Sequence, residues 1–287
     1  MSRAEPCQFN LLVKAKPLSA GLTTVVNRGE MGLQYLEFGI LYLPGGEWVG
    51  STGKCEYVLD ILSGVVSLEV KSPLAETFPE LGQRRDVFDG LPTSIYLPPG
   101  LDYCLKVVRP DVEIAVFSAI APGFKGQATV IEPDEVQVRS DGRDNWRWDV
   151  YLAIDDKFPA ARLMMGEEVI PSGNWSNIPS AKHDAFNPPD EFPMEEVSYF
   201  QAQPKNGFGM IRIYTPRTDP TPIDEAYVVE DGDTAVIPRG YHPIVSAPGS
   251  VLHRTWAMAG QIRRYNARAY DPTQAWLAPG GGAQQSS

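Results

Sequence analysis

The chain has 287 residues, an apolar fraction of 43% and a formal net charge of −11 at neutral pH. This length allows one large or two ordinary domains, and no apolar run approaches the length of a membrane-spanning helix. The negative charge, without any cluster of lysine and arginine, argues against nucleic acid and anionic membranes as partners.

The cysteines and the amino-terminal residues predict a cytoplasmic protein. Cys7, Cys55 and Cys104 are odd in number and lack the spacing of a metal site, so we expect reduced thiols. The segment from Met1 to Pro6 lacks an apolar signal, so no export is predicted.

Short strands joined by turns are the predicted elements along the whole chain. Proline and glycine, 26 residues each, are spread throughout the sequence, as in proteins built from many short strands. Long amphipathic helices are missing from the pattern, which predicts an all-β protein. In chain order, the predicted strands lie at residues 34–43, 56–62, 65–70, 93–97, 112–118, 161–165, 195–200, 209–214, 226–229, 234–237 and 252–258.

Two segments repeat one pattern, a strand followed by Pro-x-Gly and an aromatic residue. The first contains Pro98-Pro-Gly100 and then Tyr103, and the second contains Pro238-Arg-Gly240 and then Tyr241-His242. We interpret this as an internal duplication that yields two β-barrels. Residues 1–126 are predicted to form an N-terminal barrel, free of histidine and structural. Residues 127–287 are predicted to form a C-terminal barrel that carries any metal chemistry.

The three histidines, His183, His242 and His253, are the most informative residues. His183 stands twelve positions before Glu195, and His242 follows the second Pro-x-Gly turn. Two imidazoles and a carboxylate on neighbouring strands can bind a divalent metal. A carboxylate inside a barrel is unfavourable unless it binds a cation or pairs with a base. His183, Glu195 and His242 are therefore the predicted metal ligands, although each could also be an ordinary surface, strand or turn residue. His253 lies in mid-strand and is predicted to be a packed structural histidine.

Arg212 and Tyr214 share one face of a predicted strand, opposite Ile211 and Ile213. If the isoleucines face the packed layer, Arg212 and Tyr214 point into the mouth of the barrel. An arginine there could bind a substrate carboxylate through two parallel hydrogen bonds. The alternative is an ordinary salt bridge.

Taken together, the motifs resemble the 5-deoxyglucuronate isomerases of inositol catabolism. The likeness runs from about Leu11 to Trp276. It implies a bicupin fold, a cytoplasmic isomerase that converts a uronic acid aldose to a ketose acid, and a divalent metal (Zn, Mn or Fe) in the second cupin. The motifs that carry it are Gly82-Gln-Arg-Arg-Asp-Val-Phe-Asp-Gly90, Gly173-Asn-Trp-Ser176, Lys182-His183-Asp184, Glu195-Glu196, Gly207-Phe-Gly-Met-Ile-Arg-Ile-Tyr-Thr215 and Pro238-Arg-Gly-Tyr-His-Pro243.

The chain departs from the family pattern at Ala181. The family has His-Lys-His-Asp, whereas this chain has Ala181-Lys-His183-Asp, so one of four ligands is missing and the other three carry over. Catalytic metals often keep three protein ligands and an open position. A second departure is Trp256, which would narrow the pocket.

The sequence alone is compatible with three functions. The first is a metal-dependent aldose–ketose isomerase, with Glu196 and Tyr214 as acid–base candidates and Arg212 holding the substrate carboxylate. The second is a repurposed cupin with a 2-His-1-carboxylate Fe(II) site, either an oxygenase or an enzyme of specialised metabolism. The third is a metal-free binding or structural cupin. The expected partners are a small carboxylate or sugar acid and, through paired sheet edges, a second copy in a homodimer.

Overall fold

A computed structural model describes residues 10–72 and 75–277 of the chain; Cys7 and the amino-terminal residues 1–9 lie outside this part. The prediction of an all-β protein is confirmed. The first half contains β1 (Leu12–Val13), β2 (Gly21–Val26), β3 (Leu36–Leu43), β4 (Glu47–Ser51), β5 (Cys55–Ser72), β6 (Glu76–Leu81), β7 (Thr93–Leu97), β8 (Asp102–Ile120) and β9 (Thr129–Ile131). The second half contains β10 (Gln137–Asp141), β11 (Trp148–Ile154), β12 (Leu163–Ile170), β13 (Trp175–Ser176), β14 (Ala181–Lys182), β15 (Met194–Gln203), β16 (Phe208–Tyr214), β17 (Asp224–Glu230), β18 (Thr234–Ile237), β19 (Ile244–Ser246), β20 (Val251–Gly260) and β21 (Ala269–Tyr270).

Within residues 10–72 and 75–277, helical structure is limited to two short 3₁₀ segments, Asp144–Trp146 and Pro272–Leu277. Neither these nor any other helix in the described part of the chain has the length and apolar character that crossing a bilayer requires.

The strands form two barrels. The first barrel is a continuous sheet in the order β2-β3-β8-β5-β7-β9, with β4 added to β8 and β6 added to β5. Strands β5 and β8 are 18 and 19 residues long, and bulges along their pairing let them bend from one layer of the barrel into the other. In the second barrel, a sheet in the order β1-β18-β15-β20-β12-β11-β10 packs on a sheet in the order β13-β19-β16-β17.

The register of the two sheets shows the internal duplication directly. Strands β3, β5, β7 and β8 of the first barrel correspond to β12, β15, β18 and β20 of the second, with the same neighbours. In each barrel, one alanine lies opposite a leucine on one side and a glutamate on the other. The equivalent pairs are Leu36 and Leu163, Glu56 and Glu195, and Ala119 and Ala259.

Two short strands cross the boundary that the repeat predicts at residues 126 and 127. Strand β1 pairs with β18 in the second barrel, and β9 pairs with β7 in the first. Each exchanged strand covers a sheet edge of the neighbouring barrel that would otherwise present unpaired backbone groups. The strand pairing therefore interlocks the two halves instead of separating them at one linker.

Apolar side chains form a core inside each barrel and a third core between the barrels. The interior of the first barrel is largely aliphatic and includes Leu41, Leu59, Ile61, Leu68, Leu105 and Ile114. The core between the barrels draws on both halves and includes Phe38, Phe117, Met165, Val197 and Tyr199. Because of this third core, the strands that face the partner barrel are buried on both of their faces.

A buried ionic cluster also joins the barrels. Arg84, from the loop after β6, donates two hydrogen bonds of 2.9 and 2.6 Å to the Glu167 carboxylate on β12. The Nε2 atom of His253 lies 3.2 Å from Glu167 Oε2, and the histidine is fully buried. This position agrees with the structural role expected for His253.

Candidate metal centre

Three side chains from separate segments of the second barrel converge on one point. His183 follows β14, Glu196 lies on β15, and His242 follows the turn after β18. Their potential ligand atoms all lie within 4.8 Å of one another, and all three residues are buried. Glu196 Oε2 is 3.3 Å from His183 Nε2 and 3.5 Å from His242 Nε2.

The hydrogen bonds of the two imidazoles fix which nitrogen faces the centre. His183 Nδ1 donates to the carbonyl of Met194 at 2.8 Å, and His242 Nδ1 donates to the carbonyl of Gly240 at 2.9 Å. A carbonyl oxygen only accepts, so each Nδ1 carries a proton and each ring turns Nε2 toward Glu196. Two Nε2 atoms and a carboxylate oxygen that face one another need a proton or a cation between them.

Glu196 is held in place by its other carboxylate oxygen. Oε1 accepts hydrogen bonds from Ser198 Oγ at 2.8 Å and from an Arg254 nitrogen at 2.6 Å. Burial by itself would raise the pKa of Glu196, but the Arg254 guanidinium and the two imidazoles outweigh it and hold this pKa well below its usual range. Oε2 therefore stays ionised and free to bind a cation.

The arrangement fits a divalent metal. Metal–nitrogen and metal–oxygen bonds of about 2.0–2.2 Å, at angles between octahedral and tetrahedral, place ligand atoms roughly 2.8–3.6 Å apart, and the carboxylate–imidazole distances of 3.3 and 3.5 Å fall in this range. Two imidazoles and one carboxylate suit Zn, Mn or Fe. The donor chemistry and the Nδ1 hydrogen bonds are those of a metal ligand set.

The three side chains line a small cavity of about 30 Å³ together with Ala181, Glu168, Trp256 and others. Ala181 is 2% exposed, so a fourth ligand at this position would face the same space. The cavity shares Asp141, Trp148, Asn177 and Arg268 with a larger outer cavity of about 630 Å³. A small polar site thus lies at the inner end of a cleft large enough for a sugar.

Glu195, the predicted carboxylate ligand, faces away from the two histidines. Its oxygens accept hydrogen bonds of 2.7, 2.7 and 2.6 Å from the backbone N–H groups of Gln34, Tyr35 and Leu36 in the first barrel. Successive side chains on a strand point to opposite faces, and on β15 the face of Glu196 is the one inside the barrel. The structure therefore replaces Glu195 with Glu196 in the candidate site.

The duplication contains a signal for this correction. Glu56, the equivalent of Glu195, accepts hydrogen bonds from the backbone N–H groups of Ala161, Arg162 and Leu163 in the second barrel. In each barrel, one glutamate thus accepts hydrogen bonds from the backbone at the start of a strand in the other barrel. An alignment of Cys55-Glu56 with Met194-Glu195 would have predicted matching structural roles for the two glutamates.

Arg212 and Tyr214 also lie outside the site. Ile211 and Ile213 face the core, as the sequence predicts, but the opposite face of β16 is the outer surface of the barrel and not its mouth. Arg212 pairs with Asp224 at 2.7 Å at a half-exposed position. Tyr214 donates a hydrogen bond of 2.6 Å to Asp271 beside a separate surface cavity. Of the predicted acid–base residues, only Glu196 lines the metal cavity, where it is one of the three candidate ligands.

Sequence patterns did not indicate three of the charged residues that line this cavity, which are Glu168, Arg254 and Arg268. Arg254 bridges Glu196 and Glu168, with 2.8 Å to the latter. Arg268 lies where the small cavity meets the outer one. A signal existed for the first two: the pairs Glu167-Glu168 and His253-Arg254 lie on adjacent strands, so alternation places Glu168 and Arg254 on one face and Glu167 and His253 on the other.

Comparisons with known proteins agree with this architecture. The family model described as KduI/IolB matches residues 11–277. Curated relatives named 5-deoxy-glucuronate isomerase, from Geobacillus thermodenitrificans and Bacillus licheniformis, are 34% and 31% identical to the chain. These matches cover 91% and 92% of the chain and 93% and 96% of the relatives.

Solved structures show the same fold. The crystal structure of an IolB-like protein from Salmonella typhimurium LT2 matches with a TM-score of 0.86 at 27% identity, covering 93% of this chain and 99% of that one. An oxalate decarboxylase from Lactobacillus farciminis matches with a TM-score of 0.64 at 12% identity, covering 96% and 92%. The second likeness concerns the fold alone, and the prediction of a bicupin is confirmed.

Proposed function

The chain belongs to the KduI/IolB family, and on that premise we propose that it is a metal-dependent aldose–ketose isomerase acting on a uronic-acid-type sugar such as 5-deoxyglucuronate. One observation carries the proposal. His183, Glu196 and His242 converge at the inner end of a sugar-sized cleft, in a chain whose curated relatives are named for that isomerisation.

His183, Glu196 and His242 would hold the metal. A bound divalent ion supplies a Lewis acid that polarises a carbonyl oxygen. Ser198 and Arg254 fix the orientation of the Glu196 carboxylate. Ala181 offers no donor atom on the cavity side, so a metal held by the other three residues would keep a position for an oxygen of the substrate.

The outer cavity suits a substrate that carries a carboxylate. Its lining includes Arg139, Arg143 and Arg268. Arg139 pairs with Asp141 at 2.9 Å, and Arg143 lies 4.0 Å from Asp144. Arg268 stacks over Tyr265, with 5.4 Å from its guanidinium carbon to the ring centroid, and its Nε is buried without a hydrogen-bond partner among the described residues. Arg268 therefore replaces Arg212 as the proposed carboxylate-binding residue, because a guanidinium binds a carboxylate through two parallel hydrogen bonds.

The test is conversion of the sugar acid by protein of known metal content. Protein loaded separately with Mn, Fe or Zn is incubated with 5-deoxyglucuronate, and the ketose product is followed by NMR. We expect conversion that a chelator abolishes and the metal restores. Stoichiometric metal with unchanged substrate under all three conditions would refute the isomerase proposal.

A second candidate function is favoured by the ligand number. With Ala181 in place of a fourth ligand, the site has the two-histidine, one-carboxylate set of many Fe(II) oxygenases. Iron-dependent oxygen consumption with a candidate substrate, absent with Zn, would identify this activity. The third possibility, a metal-free binding protein, requires that no metal be retained after purification, so elemental analysis separates it from the other two.

Three further expectations accompany the proposal. We propose a cytoplasmic location, a small sugar acid as the partner of the site, and a homodimer that pairs exposed sheet edges. Light scattering coupled to size-exclusion chromatography distinguishes a dimer from the 31.6 kDa monomer.

A further inference from the structure

We propose that Glu168 is the group that moves the proton during isomerisation, taking it from the carbon next to the sugar carbonyl and returning it to the former carbonyl carbon. This inference rests on the isomerase function proposed above. It assigns the catalytic step to a residue that is not one of the three ligands and that lies on a different strand, β12.

Glu168 points into the metal cavity. It lines that cavity together with His183, Glu196 and His242, and it is 5% exposed. Its neighbour Glu167 points the opposite way, to Arg84 of the first barrel. The two adjacent glutamates thus have separate environments, one between the barrels and one inside the second barrel.

The two oxygens of Glu168 differ in their hydrogen bonding. Oε1 lies 2.8 Å from an Arg254 nitrogen, while Oε2 is buried and has no hydrogen-bond partner among the residues that the structure describes. A buried carboxylate oxygen without a donor is unfavourable, and native proteins rarely keep one without a functional reason. An oxygen in this state beside a ligand cavity is placed to accept a proton from a bound molecule.

The other acidic groups along the cavity are already engaged. Both oxygens of Glu196 are used, one by Ser198 and Arg254 and one beside the histidines. Asp141 pairs with Arg139, and the Tyr265 hydroxyl accepts a hydrogen bond from the same arginine at 3.0 Å. Among the described residues of this cavity, Glu168 is the carboxylate with a buried oxygen that lacks a hydrogen-bond donor.

Arg254 fixes the position of Glu168 relative to the candidate metal. One guanidinium nitrogen binds Glu196 at 2.6 Å, and another lies 2.8 Å from Glu168. The ligand carboxylate and the proposed base therefore share one planar, buried cation. Glu168 lines the same cavity as the candidate ligands, so a sugar acid bound there would have the carbons beside its carbonyl near this carboxylate, which is the positioning that general base catalysis needs.

The proposed step is an internal redox exchange between two carbons. Glu168 takes the proton from C2, the C2–H electron pair becomes the second C1–C2 bond, and the carbonyl pair of C1 moves onto O1. The proton on O2 passes to O1. The O2 electrons then form the new C2 carbonyl, and the C1–C2 pair takes the proton back from Glu168 at C1. C1 is reduced, C2 is oxidised, and no outside reagent is used.

The test is hydrogen exchange during turnover, measured on wild-type and Glu168→Gln protein. In D₂O, wild-type product should carry deuterium at C1, because a glutamate proton exchanges with solvent. Glu168→Gln should keep its metal and its melting temperature within a few degrees. It should lose both turnover and deuterium incorporation by roughly 10²–10⁴-fold, the usual contribution of a general base.

Two outcomes would overturn the proposal while leaving the isomerase function intact. One is full wild-type turnover without deuterium in the product, which means direct hydride transfer between the carbons. The other is turnover by Glu168→Gln within a few-fold of wild type. If Glu168→Gln loses the metal, the role of Glu168 is tested instead with Glu168→Ala and added formate. Restored exchange supports the base, and absent rescue in metal-loaded Glu168→Ala refutes it. If metal-loaded wild type converts no sugar acid at all, the isomerase proposal itself fails.

Discussion

Replacing Glu195 or Glu196 by glutamine tests the assignment of the metal site, because the two residues are adjacent and the substitutions are identical. Glu196→Gln removes the charge at a proposed ligand whose Oε2 lies 3.3 and 3.5 Å from the two imidazoles. Glu195→Gln alters a carboxylate that faces the first barrel. Each variant is therefore the matched control for the other.

The expected effects differ in kind. Loss of an outer-shell partner weakens metal binding by about 10–100-fold, and loss of a ligand should weaken it more; Glu196→Gln should therefore lose bound metal and turnover. In Glu195→Gln, the amide oxygen can still accept from the backbone N–H groups of Tyr35 and Leu36, but the NH₂ group replaces the oxygen that accepts from Gln34. At about 1–3 kcal/mol for one unsatisfied buried donor, we expect a destabilisation of about that size, while metal content stays at the wild-type level.

Metal content by elemental analysis and unfolding in urea measure the two effects on the same preparations. Loss of metal in Glu195→Gln with retention in Glu196→Gln would refute the site as described. Equal metal loss in both variants, at equal stability, would also contradict it, because only one of the two carboxylates faces the histidines.

Three further predictions test the surroundings of the site. Ala181→His restores the fourth ligand of the family pattern inside the cavity and should slow metal loss to a chelator at least tenfold; unchanged or faster loss would show that position 181 does not face the metal. Arg268→Gln should raise KM for the sugar acid by about 10–100-fold, the equivalent of one charged hydrogen-bonded pair, and leave KM for a neutral aldose unchanged, while Arg212→Gln serves as the control that alters neither. Burial raises the pKa of Glu113, although the hydrogen bond from Tyr199 opposes this shift. The folded state therefore holds the proton more tightly than the unfolded chain does. The stability of the wild type should fall as the pH rises from the pKa of Glu113 in the unfolded chain toward its pKa in the folded protein. Glu113→Gln should remove that fall, so it gains stability over wild type above the folded pKa and the difference shrinks below it; denaturant unfolding at a series of pH values measures this, and a pH-independent difference would contradict it.

The sequence by itself determined the all-β class, the duplication and two of the three candidate ligands. Alternating strands, evenly spread glycine and proline, and the repeated Pro-x-Gly pattern are local features, so they can be read without the fold. His183 and His242 were identifiable because histidine is rare in this chain. The motifs around them also predicted the family that the comparisons show.

Only the tertiary structure decided which face of each strand lies inside the second barrel. Alternation correctly placed Glu195 and Glu196 on opposite faces, but Val197 and Tyr199, on the Glu195 face, are buried between the barrels. Both faces of β15 are thus buried, and hydrophobicity cannot distinguish the interior from the contact with the other barrel. For β16, the face opposite the core is the outer surface of the barrel, so Arg212 and Tyr214 lie outside the candidate site. Glu168, Arg254 and Arg268 meet at the cavity through strand pairing and loop position, which sequence distance does not encode.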